Sequence, residues 1–157
     1  MKVEEGENFI KRVMDDTQSI IRATKITPSK IYYYVATPWK WKLFLRMLEK
    51  AATGKLETDT SIGELLKEPE LRKNAKEVVK IIPKIAEENM KMSDVEKKRQ
   101  LSTGALNEYE ILENAKGFLK EELRAEVDVF EENDSERYDP KQRARLAKPY
   151  RPAIFIE

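Results

Sequence analysis

Apolar side chains recur every three or four residues over residues 4–25, which is the pattern of an amphipathic helix. The stripe contains Phe9, Val13 and Ile20, and Pro28 follows it. Because the residue before a proline avoids the helical conformation, the helix is expected to end before Pro28. This first helix could either dock on the domain that follows it or be the last helix of a preceding domain.

Three stretches have the pattern of strands. Residues 30–36 form a run of aromatic and β-branched residues, which predicts a central strand. Residues 124–130 alternate apolar and acidic side chains, which predicts a strand buried on one side. The apolar run 153–156 predicts a last strand that ties down the end of the sequence.

The remaining periodic stretches predict helices. Thr37 is expected to cap a helix that has Pro38 at its first position and runs to about residue 52, with Gly54 as its stop. Further helices are predicted over residues 61–68, 71–89 and 107–123, and Asp139-Pro140 is expected to begin a short helix. Residues 91–100 are strongly charged and only weakly periodic, and Gly104 ends this segment.

Two features of these helices follow from their residues. Pro83 is expected either to kink the helix of residues 71–89 or to mark the meeting point of two helices. The helix of residues 107–123 is expected to bury Tyr109, Leu112, Ala115, Phe118 and Leu119. The predicted fold is therefore α/β or α+β, a small sheet of about three strands covered by several helices, with a leading N-terminal helix.

Composition excludes several classes of site. The 157 residues fit one domain, and 30 basic against 29 acidic residues give a net charge of +1, so that an electrostatic role must depend on local patches. Without cysteine there is no disulfide or thiolate metal site, and without histidine the commonest general base and zinc ligand are missing. The share of charged residues, 38%, is typical of thermophiles.

The N-terminus and the length of the apolar runs show whether the sequence has a signal peptide or a membrane span. The N-terminus is acidic rather than basic and apolar, and nowhere do eighteen apolar residues follow one another. The sequence therefore predicts a soluble, cytoplasmic protein without a membrane-spanning segment, and we expect it to be a monomer.

The last nineteen residues carry the strongest candidate for a binding site. Arg143, Arg145, Lys148 and Arg151 stand beside two prolines, Pro149 and Pro152. Arginine forks match phosphate oxygens in pairs, and prolines reduce the entropy lost on binding. The alternative is that these basic side chains form ion pairs within the chain with the acidic side chains of residues 126–136.

A second candidate lies at the predicted helix start after Thr37. Trp39, Lys40, Lys42 and Arg46 interleave aromatic rings with cations, an arrangement that suits RNA bases and phosphates. The alternative is that the tryptophans belong to the core and the cations only solvate the helix. Lys73, Lys76, Lys80 and Lys84 form a further stripe, which is either an RNA contact or a solvated surface.

Several stretches together resemble a known family. They are IYYYVATPWKWKLF, LLKEPELRKNAKEVVK, YEILENAKGFL, AEVDVFEE and DPKQRARLAKPYRPAIFIE, and their order is similar to the C-terminal region of archaeal and eukaryotic-type leucyl-tRNA synthetases. The resemblance implies that residues 1–27 are the terminal helix of the anticodon-binding domain. It also implies that residues 28–157 form a C-terminal α/β domain that grips the elbow and long variable arm of leucine tRNA.

The resemblance implies a role in binding rather than in catalysis. The parent would be a class I, ATP-dependent leucine–tRNA ligase that uses ATP and magnesium, whereas this fragment is expected to need no cofactor, since the histidine-containing class I signature is absent. Lys91-Met92-Ser93 is similar to the start of a second class I signature, but Asp94 and Val95 follow it. Ile156 and Glu157 become further candidate contacts with tRNA.

Two rival functions remain open from the residues alone. One is a structural or protein-interaction domain whose basic patches only confer solubility. The other is a small enzyme that uses carboxylates such as the Glu131-Glu132 pair, which the missing histidine and cysteine disfavour.

Overall fold

A computed structural model describes the backbone of residues 2–52 and 58–157 and the side chains of residues 4–52 and 62–157. The predicted helix stop at Gly54 lies outside these residues. Within them the elements are, in chain order, α1 (Lys2–Thr24), β1 (Lys30–Val35), α2 (Pro38–Ala52), α3 (Thr58–Leu65), α4 (Pro69–Lys73), α5 (Ala75–Lys91), α6 (Asp94–Thr103), α7 (Glu108–Asn114), α8 (Lys116–Leu123), β2 (Glu126–Glu131), a 3₁₀ helix (Ala144–Leu146) and β3 (Ala153–Ile156). The predicted combination of a small sheet with several helices is confirmed.

The chain forms two compact units. The first contains the residues up to Thr37 together with Leu106–Glu157, and therefore α1, all three strands, α7, α8 and the 3₁₀ helix. The second is Pro38–Ala105, which contains α2 to α6. The domain boundary expected between residues 27 and 28 stays a prediction.

The sheet of the first unit has the order β2-β1-β3. β1 runs parallel to β2, with Lys30 opposite Glu126, and antiparallel to β3, with Tyr34 opposite Ala153. The prediction that residues 30–36 form the central strand is confirmed, and β3 lies at an edge.

One face of the sheet, the inner face, is covered by helices. Ile31 and Tyr33 of β1 and Val127 of β2 are buried there, and the hydroxyl of Tyr33 lies 2.8 Å from the hydroxyl of Thr17 on α1. α7 and α8 pack against β2. The first helix therefore contacts the sheet that follows it in sequence, and its assignment to a preceding domain stays a prediction.

The opposite face, the outer face, carries aromatic residues. Strand alternation places Tyr32 and Tyr34 there, together with Phe130 of β2 and Phe155 of β3. The Tyr34 hydroxyl donates to the backbone carbonyl of Tyr138, so that the chain between β2 and β3 crosses over this face.

The second unit is helical in its described residues. α2 packs against α4, α5 and α6 and buries Trp41, Phe44 and Leu48. The start of α2 at Pro38 confirms the predicted boundary, but the Thr37 hydroxyl has no hydrogen-bond partner in the described part of the chain and does not cap the helix.

Of the two alternatives at Pro83, a meeting of two helices is wrong, and a kink stays a prediction. α5 runs through Pro83, which is exposed, and the helix boundary falls at Asn74. The Asn74 side chain donates to the carbonyl of Glu70 at 3.0 Å. Such local bonding competes with helical hydrogen bonds and favours a helix end.

Two aromatic residues expected in the core are exposed. The predicted helix 107–123 is divided at Ala115 into α7 and α8, and Tyr109 and Phe118 are 39% and 52% exposed. Leu112 and Leu119 are fully buried, as predicted. Helical periodicity marks an apolar face but does not show whether the whole width of that face is covered.

Candidate nucleic-acid interface

Asp139 organises the start of the basic C-terminal segment. Its side chain is 6% exposed, and its carboxylate accepts from the backbone N–H groups of Arg143 at 2.7 Å and Ala144 at 3.2 Å. The Nε–H of Arg137 donates to the same carboxylate at 3.3 Å. The helix predicted to open at Asp139-Pro140 is wrong, because Gln142 has a positive φ of 53° and only the 3₁₀ helix Ala144–Leu146 follows.

A tight turn then places two basic residues, Lys148 and Arg151, opposite each other. The N–H of Arg151 donates to the carbonyl of Lys148 at 2.9 Å, and the N–H of Lys148 donates to the carbonyl of Arg151 at 3.0 Å. Pro149 precedes Tyr150, whose φ of 68° is typical of the third residue of a type II turn. The N–H of Tyr150 also donates to the buried carboxylate of Glu108 at 3.0 Å, which ties the turn to α7.

Three of the predicted basic residues line the same groove, which has a volume of about 400 Å³. Arg143, Lys148 and Arg151 line it, with Asp16 and Ser19 of α1 on the other wall. Asp16 is an acid, so the lining holds three positive charges and one negative charge. This arrangement suits an anion with more than one oxygen, such as a phosphodiester.

The two arginines of this groove have exposed side chains. Among the residues with described side chains, neither Arg143 nor Arg151 forms an ion pair. Two of the acids proposed as their intramolecular partners pair with other basic residues, and Glu126 lies 2.7 Å from Lys120. Asp128 bonds Lys30 at 2.9 Å and lies 3.6 Å from Lys116, and the hydrogen bond from Lys30 holds the pKa of Asp128 below its usual value.

Arg145 lies on the 3₁₀ helix and does not line the groove. Its side chain is exposed, and its Nε–H donates to the carbonyl of Gln142 at 3.3 Å. Lys148 is half-buried. The structure therefore brings Arg143, Lys148 and Arg151 together and sets Arg145 beside them.

The last two residues are held by β1 and by two tyrosines. Ile156 pairs with Ile31 in the sheet and is half-buried. The Glu157 carboxylate accepts from the hydroxyls of Tyr138 at 2.7 Å and Tyr32 at 3.2 Å. The bond to Glu157 raises the pKa of Tyr138, whereas burial is the main cause of the raised pKa of Tyr32.

The candidates on α2 belong to the second unit and are largely engaged within it. Lys40 is only 6% exposed, with its Nζ 5.8 Å from the ring centre of the half-buried Trp39. Lys42 and Arg46 both contact the carboxylate of Glu68, at 3.0 and 3.1 Å, and the hydrogen bond from Lys42 lowers the pKa of Glu68. The α2 cations thus bond a neighbouring acid, whereas the stripe of Lys76, Lys80 and Lys84 on α5 is exposed.

The resemblance of Lys91-Met92-Ser93 to a catalytic signature has a structural explanation. Ser93 caps α6, and its hydroxyl accepts from the N–H of Glu96 at 3.1 Å. Lys91 ends α5 and lies 3.4 Å from Glu87. These residues form a junction between two helices.

One group of residues was missed from the sequence, the rings on the outer face. Tyr32, Phe130 and Phe155 lie in a row across the three strands, and Tyr138 packs over Tyr32 at 4.8 Å between ring centres. The signal was present in residues 30–36, because Tyr32 and Tyr34 fall on the same face of a strand. Tyr138 itself lies in a loop, and no periodicity marks it.

Neither a membrane span nor a metal cluster is found in the part of the chain that the structure describes. No helix there is long and apolar enough to cross a bilayer. No group of three or more acidic residues lies close enough together to hold a metal ion.

Comparison with known proteins identifies the relatives of this chain. No protein-family model matches it. It is 35% identical over 152 residues to a leucine–tRNA ligase of Methanosarcina mazei, covering 97% of this chain and 16% of the relative. It is 36% identical over 156 residues to that of Pyrococcus horikoshii and 32% identical over 156 residues to that of Methanocaldococcus jannaschii, each covering 99% of this chain and 14% of the relative.

The chain thus spans about a seventh to a sixth of the length of the relatives it matches. Similarity extends over nearly all of its own residues, so that both compact units are included. The resemblance inferred from the residues is confirmed: the chain is related to archaeal leucyl-tRNA synthetases and is consistent with the C-terminal region of such an enzyme.

Proposed function

We propose that this chain is the tRNA-binding C-terminal module of a leucyl-tRNA synthetase. It holds the elbow and long variable arm of leucine tRNA, so that the parent ligase, which supplies the ATP- and magnesium-dependent chemistry, can aminoacylate the other end. The fragment itself carries out no catalysis and acts as part of a cytoplasmic enzyme.

The observation that carries this proposal is the groove lined by Arg143, Lys148 and Arg151. Its two exposed arginines form no ion pair with the residues that the structure describes, so that their charges are available to phosphate oxygens. The turn at Pro149 and Tyr150 fixes the backbone of two of the three basic residues, Lys148 and Arg151. A fixed backbone lowers the entropy lost on binding.

The contacts in this groove are expected to be with the RNA backbone. Phosphate contacts position a protein on a nucleic acid but carry no base information. Selection of the long variable arm would then come from the shape of the tRNA, in addition to contacts from Glu157 and Ile156 at the end of β3.

A second candidate function is favoured by a different surface of the same unit. An apolar groove of about 590 Å³ runs between α1 and the α7–α8 pair, lined by residues that include Ile10, Met14, Ile111 and Phe118. Exposed apolar surface of this kind is typical of a protein contact. It supports packing against the rest of the parent synthetase, which is compatible with tRNA binding elsewhere on the unit.

Titration with leucine tRNA at several salt concentrations tests the proposal. The affinity is expected to fall as salt rises, along a slope set by the number of phosphates neutralised. A tRNA without a long variable arm should bind more weakly. Replacing Arg143, Arg145 and Arg151 together with glutamine should weaken binding and flatten the salt slope.

Three results would contradict the proposal. They are the absence of binding, binding that does not respond to salt, and equal affinity for both tRNAs. Affinity that survives the triple replacement unchanged would move the site away from the C-terminal segment. Because tRNA binding by a large enzyme is multivalent, the isolated chain is expected to bind less tightly than the parent.

A further inference from the structure

The outer face of the sheet presents an aromatic surface that phosphate binding does not use. Tyr138 is 43% exposed. Its ring packs on Tyr32, 4.8 Å away between ring centres, and lies 6.4 Å from the half-buried ring of Phe155. The Tyr138 ring is tilted by 42° to the ring of Tyr32 and by 45° to that of Phe155, and its exposed side is available to a planar ligand.

This ring is held in place before any ligand arrives. The Tyr138 hydroxyl donates to the Glu157 carboxylate at 2.7 Å, and the Tyr34 hydroxyl donates to the Tyr138 backbone carbonyl. A side chain fixed at both ends loses little conformational entropy on binding. Exposed tyrosines in such supported positions are frequent centres of recognition.

The edge strand β3 separates this aromatic surface from the groove. Ile154 of β3 lines the groove, and Phe155, the next residue, points to the opposite face because strand side chains alternate. A nucleic-acid strand that passes around the sheet edge can therefore place phosphates beside Arg151 and a base beside Phe155. Lys30, with its Nζ 5.1 Å from the Tyr32 ring centre, is paired with Asp128 and so adds no net charge to the aromatic side.

We infer that Tyr138 and Phe155 form a stacking site for one unpaired nucleobase of the bound RNA. The inference rests on the RNA binding proposed above and adds to it a contact that requires an unpaired base. Because every base has a planar face, such stacking tolerates any base. Single-stranded loops of RNA are the usual source of such bases.

The test uses the 157-residue chain and leucine tRNA with 2-aminopurine in place of one unpaired base of the variable arm at a time. 2-Aminopurine loses fluorescence when it stacks on an aromatic ring. A dye at the 5′ end reports overall binding by anisotropy in the same samples. At one position, binding of the unmodified chain is expected to quench the 2-aminopurine.

Substitutions at Tyr138 separate stacking from phosphate binding. Tyr138→Leu keeps apolar packing on Tyr32 but removes the ring, and is expected to abolish the quenching and weaken binding about tenfold without changing the salt slope. Tyr138→Trp should retain both signals. Tyr109→Leu removes a tyrosine ring of similar exposure from α7 and should change neither.

The outcomes distinguish the two proposals. Binding without quenching at any unpaired position, or quenching that persists in Tyr138→Leu, would overturn the stacking site while the proposed function stands. An absence of anisotropy change with the unmodified chain would overturn the proposed function and the stacking site with it. Loss of quenching in Tyr109→Leu would place the base elsewhere on the unit.

Discussion

At the scale of single residues, the contact between Thr17 and Tyr33 joins the first helix to the sheet. The Thr17 hydroxyl donates to the carbonyl of Val13 at 2.7 Å, so the Tyr33 hydroxyl must donate to Thr17, 2.8 Å away. Thr17→Val removes the acceptor and leaves a buried hydroxyl unpaired, which is expected to lower the free energy of unfolding by about 1–3 kcal/mol. Urea denaturation measures this loss.

The matched control for Thr17→Val is the double replacement with Tyr33→Phe. Removing both hydroxyls leaves no unpaired donor, so the double variant should recover part of the stability lost in Thr17→Val. If the double variant were as destabilised as the sum of the two single variants, the hydrogen bond would not couple the helix to the sheet.

The same tyrosine predicts how stability depends on alkaline pH. Burial raises the pKa of Tyr33 to about 12, whereas an unfolded tyrosine titrates near pH 10. The unfolded chain therefore loses this proton first, and stability falls as pH rises from about 10 to about 12, by up to about 1.4 kcal/mol per pH unit. Urea midpoints over this range should fall less steeply for Tyr33→Phe, and parallel curves would contradict the assignment.

At the scale of elements, local patterns predicted most helices and strands but not all their ends. The alternation of residues 124–130 predicted β2 because a strand with one buried face shows period two in its own sequence. The turn after Asp139 was not predictable in this way. An aspartate can accept from the residues two and three positions later, as in a helix cap, or from Arg143 and Ala144, as it does here.

The end of α6 allows a direct test of backbone strain. Gly104 has φ of 72° and ψ of −159°, a region that residues with a Cβ essentially avoid. An added Cβ would meet no atom within 4 Å, so the cost of Gly104→Ala comes from the backbone alone. We expect a loss of about 1–3 kcal/mol in the free energy of unfolding.

Gly63 provides the control within the same unit. It lies inside α3, has open space around a built Cβ and no positive φ. Gly63→Ala is expected to be neutral or to stabilise by up to about 1 kcal/mol, because alanine is the better helix former. Equal losses at the two glycines in thermal denaturation would contradict the strain argument.

At the scale of the whole molecule, long-range pairing was the part that sequence did not reveal. Register between β1 and β2 joins residues such as Lys30 and Glu126, far apart in the chain, and no local pattern specifies it. Arg143 likewise lines one groove with Lys148 and Arg151, which flank a turn that a hydrogen bond from Tyr150 to Glu108 links to the distant helix α7. The residue types of the site were predicted from the sequence, whereas their grouping required the fold.

The net charge of +1 makes the location of charge, rather than its sum, the expected determinant of RNA binding. Arg143→Gln with Arg151→Gln and Lys76→Gln with Lys80→Gln remove two charges each from exposed positions of different units. If the groove binds phosphate, only the arginine pair should weaken tRNA binding, by about tenfold or more at low salt, and reduce the salt slope by about 2. Equal losses in the two double variants would show that tRNA responds to net charge alone, and a larger loss in the lysine pair would move the interface to α5.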